Sequence, residues 1–170
     1  MTPPGSTRAR GFFGLGIWHP KVEENIGTLW RSAHAFEASF LFTVGKRYVK
    51  QPTDTARTPL SVPLFHYVDL EDLIAHLPRG CALVGVEAAA RAVDLSTFKH
   101  PDQAAYLLGA EGAGLPDEVM DRCAAVIQIE TRQCLNVAVA GSIVMYDRCT
   151  RSRGRSSIGA TSVTTTPLVA

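Results

Sequence analysis

Short apolar runs alternate along this chain with segments whose apolar residues recur at helical spacing. Residues 12–18 (FFGLGIW) form the first run and read as a strand ending at His19-Pro20. In residues 25–38, Ile26, Leu29, Trp30, Ala33 and Phe36 follow the helical period, so the spacing predicts an amphipathic helix with those side chains toward a core. Asn25 is a natural N-cap for it. Thr28, Arg31, Ser32 and Ala35 then share another face. Residues 39–45 and 64–68 read as further strands. Asp69 caps a helix over 70–77 that stops at Pro78-Arg79-Gly80. Residues 81–87 (CALVGVE) are a continuous apolar strand ending in a carboxylate. Residues 88–103 carry little apolar pattern and predict a connection with a short turn of helix. A strand core follows at 106–108, a helix over 115–122 and a last strand at 125–129. The final helix, 135–150, is apolar nearly all round, which predicts burial in the domain or in a partner.

Continuous apolar runs separated by helices point to a parallel sheet covered on both faces, an α/β fold. A length of 170 residues fits one domain with a sizeable core. We expect a flexible arm over 1–10, the folded domain over 11–150, and a disordered basic tail over 151–170, where Arg151, Arg153 and Arg155 precede Ser, Thr and Gly. Composition, 46% apolar and 19% charged, is that of a soluble globular protein. The net charge of +1 excludes a globally basic surface, so nucleic-acid contact would come from local patches. One such patch is Lys46-Arg47-Tyr48-Val49-Lys50, where cations flank a tyrosine in a loop-like stretch. That mixture suits phosphates and bases. Neither a membrane-length apolar run nor a secretory h-region is visible, so a cytoplasmic protein without membrane contact is expected. The four cysteines, Cys81, Cys123, Cys134 and Cys149, show no CxxC pair and no metal-type spacing with His. We read them as reduced thiols and expect no metal.

Candidate chemistry concentrates in residues 104–148. The loop GAEGAG (109–114) follows a strand and precedes a helix but is not GxGxxG. Its carboxylate, Glu111, would repel a pyrophosphate, which disfavours a dinucleotide site. It better suits a cationic or neutral ligand, or a proton acceptor. Two strand ends and two loops lie close together in this stretch, which suggests one pocket.

Three motifs occur in order: Asn25-Ile26-Gly27 with Arg31; Leu108-Gly109-Ala110-Glu111-Gly112-Ala113-Gly114-Leu115; and, after Ile129, Leu135-Asn136-Val137-Ala138-Val139-Ala140. Together they resemble the SpoU/TrmH-type branch of the SPOUT superfamily of RNA methyltransferases, over roughly residues 12–149. The resemblance implies a parallel sheet flanked by helices with a C-terminal deep trefoil knot. It also implies S-adenosylmethionine as cofactor, a homodimer packed through the first and last helices, and methyl transfer to a ribose 2′-hydroxyl of RNA. It assigns Asn25, Arg31, Glu111 and Asn136 to catalysis. Glu87, Leu108, Gly109, Gly114, Ile129, Cys134 and Leu135 fall to the cofactor. Apart from the resemblance, the charges themselves make Arg31, Lys46, Arg47 and Arg132 the candidate RNA contacts. Arg31 is expected to clamp a phosphate and stabilise the developing alkoxide, because a guanidinium stays protonated. The proton would pass to phosphate, water or a carboxylate such as Glu111. The chain departs from the family pattern at Cys134, where serine is usual, and in residues 130–133, which lack the usual Pro-Met start. With no appended N-terminal RNA-binding domain, tRNA is favoured over rRNA. Base N-methylation, or a non-catalytic RNA-binding homodimer of the same fold, are the alternative readings.

Overall fold

The computed structural model describes residues 11–48 and 62–156. Among them, seven strands form one sheet: β1 (Phe12–Trp18), β2 (Phe40–Val44), β3 (Leu64–Tyr67), β4 (Ala82–Val86), β5 (Val93–Asp94), β6 (Gln103–Leu108) and β7 (Ala125–Gln128). Their order is β3-β2-β1-β6-β4-β7-β5, and every pairing is parallel. Four helices cover it: α1 (Glu23–Ala35), α2 (Leu70–His76), α3 (Asp117–Met120) and α4 (Val137–Ser156). Strand alternation sends Leu15, Ile17, Leu41, Val84, Tyr106 and Leu108 to one face, where they meet α1 and α4. Phe40, Phe42, Val44, Leu83 and Leu107 face the other way, toward Leu73 of α2 and Val119 and Met120 of α3. The α/β expectation holds, with one apolar core on each face of the sheet.

Gly14 and Gly16 of β1 make room for aromatic rings. A Cβ added at either would lie 2.3 or 2.2 Å from the ring of Phe40 or Phe42.

Four local expectations change. Helix α1 starts at Glu23 with Val22 at its N-cap, so Asn25 lies inside the first turn. The acidic pair Glu23 and Glu24 favours that start through the helix dipole, and the Asn25 side chain serves elsewhere. Residues 88–103 contain the two-residue strand β5, paired with β7, and their turns are single ones closed by bonds from Ala92 to Ala89, Thr97 to Asp94 and Phe98 to Leu95, with no assigned helix. Two residues are too few to leave a periodic signal. The third helix is shorter than expected, and α4 runs past residue 150 to Ser156. The Arg151 Nε–H donates to Asp147 Oδ2 at 2.7 Å one turn back, and its NH2 group donates to the Ser96 carbonyl. These contacts carry the helix into a stretch whose composition suggested disorder. Residues 1–10, 49–61 and 157–170 lie outside the described residues, including Val49 and Lys50 of the basic stretch and most of the tail.

A polar network under the N-terminal ends of the strands was not legible in the pattern. Arg148, 6% exposed, donates to the carbonyls of Pro101 (2.7 Å), Asp102 (2.8 Å) and Phe12 (3.4 Å) and to the Tyr106 hydroxyl (3.0 Å). Its guanidinium also sits 5.0 Å from the centroid of the Phe13 ring. Tyr106 bonds His100 Nδ1 at 2.6 Å, and His100 Nε2 bonds Asp147 Oδ2 at 2.9 Å. Burial pushes the Tyr106 hydroxyl up to about 12, against the pull of Arg148, so it stays protonated. Burial also lowers the His100 pKa, and Asp147 only partly opposes it beside the cations Arg148 and Arg151.

The unfolded chain takes up a proton at His100 before the folded chain does, so stability is full above the ordinary histidine pKa. It falls as pH drops through that value toward the lower folded one. Melting temperature is expected to fall between about pH 7 and pH 5, and His100→Gln is expected to flatten that decline. Equal pH slopes for the two proteins would remove His100 as its source.

Candidate active site

Strands β6, β4 and β7 are neighbours, so the loops after their C-terminal ends emerge side by side. The loop after β6 closes on itself: the Ala110 N–H donates to the Gly114 carbonyl at 3.2 Å, and the Gly114 N–H returns to the Ala110 carbonyl at 2.8 Å. Gly112 and Gly114 supply the positive φ angles, 78° and 68°, that so tight a turn needs. Glu111 is thereby carried on the turn and aimed back at α1.

Three side chains from three distant segments then join in one chain of hydrogen bonds. The Asn136 Oδ1 caps α4, accepting from the N–H groups of Ala138 (2.9 Å) and Val139 (3.3 Å). That orientation turns its amide nitrogen outward, where it donates to Asn25 Oδ1 at 2.9 Å. Asn25 is therefore oriented too, and its nitrogen donates to Glu111 Oε1 at 2.7 Å. The Lys21 main-chain N–H donates to Glu111 Oε2 at 3.1 Å. Each amide direction is fixed by the bond before it, starting from the backbone of α4. Buried Asn25 needs two partners for its side chain, and the neighbouring motifs provide them.

Partial burial alone would raise the Glu111 pKa. The hydrogen bonds from Asn25, from its own backbone and from the Lys21 N–H outweigh that burial, and Lys21 adds positive charge, so the pKa lies below the ordinary carboxylate value. Glu111 is ionised and a weak base. A lowered folded pKa gives stability that is present above the ordinary carboxylate pKa and lost as pH falls through the folded one. Glu111→Gln should therefore lower stability at neutral pH by on the order of 1 kcal/mol. The difference should close under acid conditions. A constant difference from pH 7 to about pH 3 would contradict this charge assignment.

The cofactor-assigned residues fall into two groups. Glu87, just past the end of β4, braces the loop: its Oε2 accepts the Leu115 N–H at 2.7 Å and its Oε1 the Ala88 N–H at 3.1 Å. A Cβ at Gly109 would lie 2.3 Å from that Oε2 and one at Gly114 2.7 Å from it, so both glycines are required by close approach. Leu108 is 1% exposed, and a Cβ at Gly141 of α4 would lie 3.5 Å from its Cδ1, so only its backbone can face a ligand. Ile129 packs partly into the core. Cys134 and Leu135, by contrast, are exposed on the loop before α4, and Leu135 shows 37% of its surface. The Thr131 hydroxyl donates to the Gln133 carbonyl at 2.8 Å and shapes that loop.

The cations assigned to RNA are spread around this centre. Arg31 lies on the exposed side of α1 and, among the described residues, makes no ion pair or hydrogen bond. It does not join the Asn136–Asn25–Glu111 chain. Lys46 pairs with Glu23 of α1 at 3.5 Å, which ties the basic loop to the helix that carries Asn25. Arg47 and Arg132 are exposed. The contribution of Lys21 was missed. It acts through a main-chain N–H, for which a sequence carries no signal.

A parallel α/β sheet with its candidate site in loops outside the carboxyl ends of the strands defines a ligand-binding or catalytic domain of the open-sheet class. The chain belongs to the SpoU rRNA Methylase family, whose model matches residues 14–146. It is 27% identical over 135 residues, 72% of its own length, to tRNA (guanosine(18)-2'-O)-methyltransferase TARBP1 of Mus musculus, and covers 8% of that protein. Its fold matches the SpoU methyltransferase AviRb from Streptomyces viridochromogenes in complex with AdoMet at a TM-score of 0.75, with 23% identity, over 85% of this chain and 62% of that one. It also matches the AdoMet-bound rRNA methyltransferase from Sinorhizobium meliloti at a TM-score of 0.72, with 26% identity, over 84% of this chain and 57% of that one. The chain thus spans a small part of the mouse relative and about three fifths of each of these solved structures.

Proposed function

We propose that this protein is an S-adenosylmethionine-dependent RNA ribose 2′-O-methyltransferase. The observation that carries the reading is the hydrogen-bond chain Asn136–Asn25–Glu111, which brings the three family motifs together at the C-terminal edge of the sheet. The surrounding residues fit the cofactor. Gly109 and Gly114 let the loop after β6 close onto Glu87, and Leu135 offers an exposed apolar surface on the neighbouring loop. Gly109, Gly114, Ile129, Cys134 and Leu135 would hold the cofactor, with Glu87 bracing their loops. The cofactor supplies an electrophilic methyl group on a sulfonium.

In-line displacement leaves the protein mainly the task of positioning. Asn25 and Asn136 fix the floor of the site, and ionised Glu111 orients Asn25. Both Glu111 oxygens are engaged and its pKa is lowered, which argues against Glu111 as the proton acceptor. The acceptor role is left to water or an RNA phosphate. The exposed guanidinium of Arg31 suits a phosphate or a developing alkoxide. The name of the mouse relative supports tRNA as the substrate, with rRNA as the competing pool.

A homodimer through α1 and α4 belongs to the same reading. Exposed Val139 and Tyr146 on α4, 46% and 61% accessible, support it. A knotted C-terminal segment belongs to it as well. Supporting this, β7 is inserted between β4 and β5, and α4 then crosses to pack on α1. The free thiols support a cytoplasmic location.

The test is incubation with labelled S-adenosylmethionine and separate tRNA and rRNA pools, followed by mass analysis of the nucleosides. Label on the sugar fragment supports the reading. Label on the base means N-methylation, and cofactor binding without label in either pool means a non-catalytic RNA-binding protein.

A further inference from the structure

Away from that site, a cavity of about 350 Å³ lies at the β3 edge of the sheet, lined by Thr43, Arg47, Tyr48, Leu64, Phe65 and His66. Leu64 and Tyr48 also pack on the core that α1 covers, which places the cavity on the α1 face. Phe65 turns its ring to the opposite face, 6.3 Å from the ring of Phe40, so the rings that face the cavity are Tyr48 and His66. Both are held in place. Tyr48 meets Trp30 edge-on at 6.1 Å, and Trp30 is itself fixed by its indole N–H on the Val62 carbonyl at 2.8 Å. His66 Nδ1 pairs with the hydroxyl of Thr43, which is 1% exposed, at 3.1 Å. Among the described residues, the second ring nitrogen of His66 makes no hydrogen bond.

The β3 backbone adds polar groups. The Pro63 and Tyr67 carbonyls accept from Leu41 and Gly45 of the β2 segment at 2.8 and 2.9 Å. Alternation then sends the main-chain N–H and carbonyl groups of Leu64 and His66 outward, away from β2. The rim of the cavity carries the exposed guanidinium of Arg47. Its neighbour Lys46 is anchored to Glu23, two residues before Asn25, so this loop flanks the candidate active site.

Two fixed rings, outward main-chain donors and acceptors, and one cation match a single nucleotide: a base to stack, a base edge to read and a phosphate to neutralise. We infer that this cavity seats an unpaired nucleobase of the RNA substrate near the nucleotide to be methylated, with Arg47 on its phosphate. The inference rests on the RNA methyltransferase reading and extends it to the class of substrate: RNA presented as a single-stranded loop or end.

The experiment is fluorescence anisotropy of labelled single-stranded oligoadenylate and oligouridylate, titrated with the full chain. S-adenosylmethionine titrations run alongside. His66→Ala and Tyr48→Ala are each expected to weaken binding by about five- to hundredfold, the effect of losing one base stack, with the salt dependence unchanged. Arg47→Ala is expected to lower the salt slope by about one. Cofactor affinity should be the same in all three variants. Oligonucleotide affinities of His66→Ala and Tyr48→Ala within about twofold of wild type would overturn the inference. So would wild type that binds the cofactor but neither oligonucleotide, which leaves the enzymatic reading standing. Failure of wild type to bind either cofactor or RNA would remove both.

Discussion

Asn25→Ala is expected to lower the single-turnover methyl-transfer rate by about a hundredfold, with S-adenosylmethionine affinity little changed. Asn25 is the centre of the hydrogen-bond chain, accepting from Asn136 and donating to Glu111. Alanine removes both bonds and releases two groups whose positions depend on each other. A shift of about 1 Å in a positioned group is enough for a loss of this size. The residues proposed to hold the cofactor, Gly109, Gly114 and Leu135, are not touched, so the loss should appear in the rate and not in cofactor binding. Asn25→Asp should be worse than Asn25→Ala. It would set a second carboxylate against Glu111, at a place where the present contact is 2.7 Å. Equal rates for wild type and Asn25→Ala would mean that the chain is structural only.

The largest loss of stability is expected from Arg148→Met. The methionine keeps much of the apolar stem but strands the carbonyls of Pro101 and Asp102, which Arg148 satisfies at 2.7 and 2.8 Å, and leaves the Tyr106 hydroxyl with His100 alone. Each buried acceptor left without a donor costs about 1–3 kcal/mol, so the loss is about 3–5 kcal/mol in all. For a chain of this size that is a fall in melting temperature of about 10–15 °C. Arg148→Lys should recover little, since an ammonium cannot span the same fork of acceptors. Because the network lies at the N-terminal ends of the strands, activity well below the melting temperature should remain close to wild type. A shift of less than about 3 °C would show that water replaces the guanidinium.

The continuous apolar runs of β1, β4 and β6 were readable because strands buried on both faces carry no polar alternation to confuse the pattern. The same pattern is silent on pairing, and β7 lies next to β4 although β6 and α3 intervene in the chain. The two residues of β5 carry no period at all. Asn25 shows a different failure. A polar residue at the start of an apolar-periodic segment reads as a cap, and only the fold reveals that Glu111 and Asn136 claim its side chain instead. The resemblance named all three as site residues, but their bonding order depends on the cap that Asn136 makes on α4. Arg31 was named with them and lies on a separate, exposed face of α1. Arg148 could not be singled out, because an arginine on the last helix beside other arginines reads as a solvated charge. Its burial follows from β1 and β6 lying next to each other beneath α4.

The proposed S-adenosylmethionine site lies in the loops after β6 and β7. Calorimetric titration of the full chain and of Leu135→Arg with the cofactor tests it most directly. Leu135 is exposed, so the variant should keep its fold and melting temperature. Saturable binding by wild type, lost in Leu135→Arg, is the expected result. No binding by wild type at millimolar cofactor, or equal binding by the folded variant, would contradict it.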